Sequence, residues 1–327
     1  MFMLAGLMGL MLVGASAFVG LAEDDVIEDL DPLPEDEDEA PMSPHALLEL
    51  VGGEIYAGTD AGDAVQGSPL ADQIGGYSGD DTLNGGSGDD ILVGMAGDDQ
   101  MDGQAGADTL HGGDGGDRIY GSSGDDSLFG HMGQDLLAGG IGNDVMHGGA
   151  GYDSLLGGSG DDALHGGLGG DQLTGGAGQD TLFGASGDDW INGVTEFLGQ
   201  PEAPNGAADF EAGRDFLNGG AGADTVIGGA GDVLTLGAGT DTAVLGHWIG
   251  VGDDAAQVTD FLAGEDQLIV ICPDDAGDAQ DVTIDRDGGE TRITLNGVTI
   301  ATLPQDTPIG IEDVVVLPES AAQSLLR

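Results

Sequence analysis

The chain has 327 residues, 66 of them Gly, and its 61 acidic residues face only five basic ones, for a formal net charge of −56. A polyanion of this density excludes nucleic acid and anionic lipid surfaces as the main partner. The single Cys272 excludes an internal disulfide and reads as a buried, unreactive thiol.

In chain order, residues 2–22 form an apolar run long enough to span a bilayer. No Lys or Arg flanks it, the first basic residue being Arg118, while Ala15-Ser16-Ala17 offers small residues for cleavage. The run is expected to be a membrane anchor or an atypical export signal rather than a helix of the core. Residues 23–57 follow as an acidic linker and N-terminal cap. Glu23 to Pro44 is acidic and Pro-bearing, hence extended and self-repelling. His45 to Tyr56 supplies a short helix or first strand that closes an otherwise open end.

From Gly58 to Asn192 a nine-residue unit repeats fifteen times without a slip, as in GGSGDDILV at 85–93 and GGAGQDTLF at 175–183. Position 1 is always Gly, position 6 always Asp, and position 8 always Val, Ile, Leu or Met; position 4 is Gly in thirteen copies. Glycine enters positive φ at low steric cost, so the first half of the unit is expected to turn sharply. The second half reads as a three-residue strand with one inward side chain. Two strands back to back make a coil of 18 residues, and stacked coils make two parallel sheets with strands about 4.8 Å apart.

In that arrangement the position-6 carboxylates of alternate copies lie one above another. Asp90, Asp108, Asp126, Asp144, Asp162 and Asp180 form one column; Asp81, Asp99, Asp117, Asp135, Asp153, Asp171 and Asp189 form the other. Asp63 and Asp72 in the first two copies, and Asp224 in the later GGAGADTVI, complete the candidate ligands. Two like charges ~4.8 Å apart repel by about 0.9 kcal/mol in water and about 3.5 kcal/mol at an effective dielectric of 20. One buried aliphatic side chain per repeat returns only about 1.5–3 kcal/mol. A cation between the coils resolves this conflict. Carboxylates and turn carbonyls are hard oxygen donors, which favour calcium over zinc, with magnesium second.

The period breaks at 193–209, which reads as an insertion loop, and resumes over 210–245 before losing register in GGAGDVLTL. Residues 246–327 change character. QLIVIC, DVTIDR, TRITL, GVTIATL and DVVVLP read as strands, with Asp287-Gly288-Gly289 and Asn296-Gly297 as hairpin turns. This β-rich region is expected to cap the last coil.

The repeats at 58–192, with DFLAGEDQLIV at 260–270, resemble the RTX (repeats-in-toxin) calcium-binding proteins. The resemblance implies an all-β parallel β-roll, a two-sheet solenoid of calcium-binding nonapeptide repeats with a C-terminal β-rich capping domain. It also implies calcium held between successive turns by the position-6 Asp and turn carbonyls, and one-step (type I) export to the outside of a bacterial cell. The apolar N-terminal segment and the insertion depart from that pattern. Pairing within the two columns gives on the order of a dozen ions.

No HExxH or GxSxG motif occurs, and Ser87, Ser123, Ser159 and Ser186 sit at position 3 of the turn. The chain therefore reads as a non-enzymatic exported calcium-binding protein, secreted or anchored to the envelope through residues 2–22. Two other readings stay open: a calcium-dependent adhesin gripping a cell-surface glycan or protein, and an exported enzyme with its site in the C-terminal region. Finally, position 9 of alternate copies lines up Val93, His111, Phe129, His147, His165 and Phe183 on one outward face. The ladder either suits exposed strands or chelates a second metal between His147 and His165, and the first reading is preferred.

Overall fold

A computed structural model describes residues 53–194, 213–274, 281–287 and 289–325. The expectations for residues 2–22, for most of the 23–57 segment and for most of the 193–209 loop lie outside the described residues. Among the described residues, no helix is long and apolar enough to cross a membrane.

The repeats wind into a parallel β-solenoid. Successive strands alternate between two sheets, one of 14 strands and one of 12, and each strand pairs with the strand one coil away. Register is kept by the 18-residue period: Leu136 lies opposite Ser154 and Leu137 opposite Leu155. The fold is the all-β, two-sheet solenoid anticipated from the repeat.

The strands are longer than the three residues expected. Most run for six, from position 7 of one repeat through position 3 of the next, as in Thr82–Ser87 and Leu136–Ile141, while those at the start of the roll and beside the insertion keep three, as in Ala64–Gln66 and Trp190–Asn192. Position 1 drops out of the pairing, so the chain bends there and re-enters the ladder at position 2. The Gly-Gly pair is therefore the corner of a strand, not only a turn. Burial explains the corner. Positions 8 and 1 both point inward, but only position 8 carries a side chain, and Leu83, Leu92, Leu110 and Leu128 are completely buried there. Each repeat thus adds one aliphatic residue to a continuous core.

The turn depends on glycine at position 4. Gly106 has φ +139°, and a side chain there would strike the carbonyl of Gly88 one coil before. That is a double demand, on conformation and on close approach of two backbones, that only glycine meets. Position 2 is less strict. Tyr77, Met95, Gln104, Ser122, His131 and Ala185 occupy it with φ between +77° and +87° and tolerate the strain.

Where the nine-residue pattern slips, through GGAGDVLTL, the coil itself continues. The strand Val233–Ala238 pairs with Phe216–Ala221, and Thr242–Gly246 pairs with Thr225–Ile227. The coil from Phe216 to Val233 is 17 residues long instead of 18, and the one from Val233 to Gln257 is 24, so neither falls on a nine-residue comb. The parallel sheets also run on past residue 246, through Ala256–Val258, Gln267–Cys272 and Val314–Pro318. Beyond them the larger sheet ends in an antiparallel meander of Val282–Asp287, Glu290–Leu295 and Val298–Pro304. Asn296 and Gly297 turn its second hairpin with φ +52° and +83°, the primed geometry that suits strand twist. A short helix, Glu319–Leu325, follows the last strand.

Candidate metal centre

The position-6 aspartates stand in two columns between the sheets, as their spacing predicts. Asp81, Asp90, Asp99, Asp108, Asp117, Asp126, Asp135, Asp144, Asp153, Asp162, Asp171, Asp180, Asp189 and Asp224 are each at most 3% exposed. One oxygen of each is spoken for. The backbone N–H of Asp63 donates to Asp81 Oδ1, and that of Asp72 to Asp90 Oδ1, both at 2.7 Å. The pattern repeats coil after coil, as from Asp108 to Asp126 and from Asp162 to Asp180.

The other oxygen has nothing. Oδ2 of all fourteen of these residues, and of Asp241, is buried without a hydrogen-bond partner. An unpaired buried carboxylate oxygen costs several kcal/mol unless a cation or proton meets it. Each Oδ2 points at the space that its own repeat's position-1 glycine leaves by lacking a side chain. A Cβ on Gly85 would collide with Asp90 Oδ2 and lie 2.9 Å from the carbonyl oxygen of Gly103 in the next coil. Gly112 is placed likewise between Asp117 Oδ2 and the Gly130 carbonyl. The cradle is thus lined by a carboxylate oxygen and a turn carbonyl from adjacent coils. These hard donors fit calcium, and the absence of nitrogen or sulfur among them does not fit zinc.

The electrostatics agree. Burial, aided by neighbours in the column and opposed by the N–H from the coil before, pushes Asp90 and Asp99 up to about 6. The same causes push Asp126 and Asp189 to about 7 and Asp162 to about 8. Carboxylates held this way bind either a proton or a cation near neutral pH.

Two of the predicted residues behave differently. Asp63 is half-buried and its Oδ2 accepts from Thr59 N–H at 2.6 Å. Asp72 is buried, but both its oxygens are occupied, Oδ1 by Glu54 N–H and Oδ2 by Ser68 N–H. Both close the first coil against its own backbone.

The sequence comb also missed members. Asp215 and Asp232 extend one column, and Asp241 and Asp266 the other: Asp180 N–H donates to Asp215, Asp215 N–H to Asp232, and Asp241 N–H to Asp266. Asp215 is pushed up to about 9, first by burial and then by Asp232 beside it. The fragments GRD at 213–215 and AGD at 230–232 carried the signal, obscured by the insertion and the 17-residue coil. A second, exposed ladder at position 5 was not anticipated. Asp80 accepts from Asp98 N–H, Asp98 from Gly116 N–H, and Asp125 from Asn143 N–H, at 2.8–3.1 Å. In DFLAGEDQLIV, Asp260 clamps the N–H groups of Leu236 and Gly237, and Asp266 Oδ2 accepts from Leu262 N–H.

Six segments, 75–110, 102–137, 111–146, 138–173, 165–193 and, separately, 211–243, match the family described as the RTX calcium-binding nonapeptide repeat. No curated protein sequence matches the chain. Among solved structures, an extracellular lipase, LipA, from Serratia marcescens is similar over 71% of this chain and 45% of its own. Its identity is 15% and its TM-score 0.27, and the chain thus spans less than half of that lipase.

Proposed function

We propose that this chain, which belongs to the RTX calcium-binding repeat family on the strength of its repeats at 75–243, is a non-enzymatic exported protein whose β-roll folds and stiffens on calcium. The observation that carries this reading is the run of buried, partnerless Oδ2 atoms facing glycine-made cradles. When bound there, calcium supplies positive charge that neutralises two facing coils at once. The chain's part is to aim Oδ2 and a glycine carbonyl into each cradle and to hold Oδ1 against the neighbouring backbone. The ligands we assign are the fourteen aspartates from Asp81 to Asp189 and at Asp224, with Asp241 added; Asp63 and Asp72, whose Oδ2 atoms accept from Thr59 and Ser68 N–H, close the first coil without a bare oxygen.

Linkage supports the exported setting. A site of millimolar affinity gains about 1.4 kcal/mol at ~10 mM calcium and almost nothing at micromolar calcium. With on the order of a dozen sites, the same chain is unfolded inside a cell and folded outside it. Residues 246–327 are read as a cap because their strands continue or terminate the solenoid's own sheets. Calorimetric titration is expected to return about a dozen bound ions, together with a rise in β-sheet circular dichroism. A return of only one or two ions, or equal β content in chelator and in calcium, would overturn the proposal.

A further inference from the structure

One cluster of metal-ligating side chains lies outside the aspartate columns. The position-9 ladder forms as rings stacked along the larger sheet. His111 stacks on Phe129 with centroids 4.7 Å apart, Phe129 on His147 at 5.3 Å, and His147 meets His165 at 5.6 Å with a 38° tilt. The ring nitrogens that converge are not those of His147 and His165. They belong to His111 and His131, whose Nδ1 and Nε2 stand 3.0 Å apart.

The backbone explains why only this coil does so. His131 sits at position 2, beside Gly113 on the paired strand, and Gly113 leaves a lane for its ring to cross towards His111. At the His147–His165 step, position 2 is Gly149 and Gly167, so no second ring arrives from that side. His131 is held at φ +79°, a conformation glycine adopts more cheaply and does adopt in seven other copies. Asp114, one residue beyond Gly113, is near enough to favour positive charge on His131.

We propose that His111 and His131 form a two-imidazole site for a late first-row divalent ion such as Cu(II), Ni(II) or Zn(II), separate from the calcium columns. Two nitrogens that each sit about 2.0–2.1 Å from one metal are ~3 Å apart when they are adjacent ligands, which is the spacing present. Imidazole is the donor these ions prefer and calcium does not. Ligation needs the neutral imidazole, whose free nitrogen lone pair is the donor. Both side chains reach solvent, so the remaining coordination positions are open to water, to Asp114 or to a partner's ligand.

The test uses the full chain saturated with calcium, which occupies the carboxylates, and Cu(II) as the probe. Electron paramagnetic resonance is expected to show one Cu(II) coupled to two nitrogens. That signature should vanish in His111→Ala and in His131→Gly, the latter relieving the positive-φ strain and keeping the fold. It should persist in the His147→Ala/His165→Ala double variant, with circular dichroism unchanged throughout. Persistence in His131→Gly, loss in the double variant, or no two-nitrogen species in the parent chain each overturns the assignment.

Discussion

At the scale of single residues, the proposed function gives one carboxylate two jobs, which removal of an ion would pull apart. Asp126 Oδ1 secures the N–H of Asp108, while Oδ2 is left bare and burial lifts the group to about 7. Asp126→Asn keeps an acceptor for the amide but discards the charge. In calcium it is expected to lower unfolding stability by roughly 1–3 kcal/mol, the cost of an unsatisfied buried polar group. In chelator the same variant should be neutral or more stable than the parent, since a buried like charge has gone. Denaturation curves under both conditions check this, and a loss of equal size in each would refute it. Glycines give a second contrast within one coil. Gly106→Ala forces a methyl group into the Gly88 carbonyl at φ +139° and should cost about 1–3 kcal/mol or more. Gln104→Gly, at φ +77°, should be neutral or stabilising by up to about 1 kcal/mol.

At the scale of the strand and the coil, pH acts on the columns as a substitute for calcium. The aspartates have folded-state values raised above their ordinary 3.8: about 6 for Asp117, Asp135, Asp144 and Asp153, about 8 for Asp162. A group raised in the folded state binds its proton more tightly there. Its contribution is complete below pH ~4 and is lost as pH climbs through the folded value. In chelator, β content is therefore expected to be highest near pH 4 and to disappear between about pH 6 and 8. His111 works in the opposite sense, since its folded value is held down to about 4 and its contribution fades as pH falls below ~6.5. With His131 and His147, which burial also lowers, it makes three groups against more than a dozen, so the carboxylates set the direction. Circular dichroism across pH in chelator measures it; a roll that melts on acidification would refute the linkage.

Much of this element-level picture was legible from the chain. Fifteen repeats in phase fixed the coil length, the inward Leu and the two aspartate columns, because a period of nine maps directly onto two strands per coil. The six-residue strand was not legible, since Gly-Gly reads as a turn and only the paired backbone reveals that positions 2 and 3 rejoin the ladder. Asp215, Asp232, Asp241 and Asp266 were hidden for an arithmetic reason: an insertion, then a 17-residue step and a 25-residue step, shift them off the comb. The meeting of His111 with His131 required a separation of 20 residues, which a stripe drawn at position 9 alone does not contain.

At the scale of the whole molecule, stability is a sum over neighbouring coils, so the ends matter more than their size implies. The meander at 282–304 and the strand Val314–Pro318 cover the last parallel strands of the two sheets. Ending the chain at Asp274 removes them and exposes two strand edges and part of the buried Leu268–Cys272 segment. Such a truncation is expected to raise the calcium midpoint for folding severalfold and to promote self-association, read by calcium titration and by sedimentation. An unchanged midpoint in a monomeric product would deny the cap its role.

The aspartate ladder also has a polarity. The position-6 amides from Asp63 to Asp215, and those of Asp224 and Asp241, each donate to a side chain of the coil that follows in the chain, as Asp63 does to Asp81 and Asp241 to Asp266. Each coil thus completes its predecessor, and the ladder ends at Asp266, whose N–H donates to the Leu262 carbonyl of its own turn. Within this ladder each coil is therefore closed by the coil on its C-terminal side. Trimming coils from the front leaves every remaining amide answered, whereas trimming the same number from the rear strands the amides of the final pair.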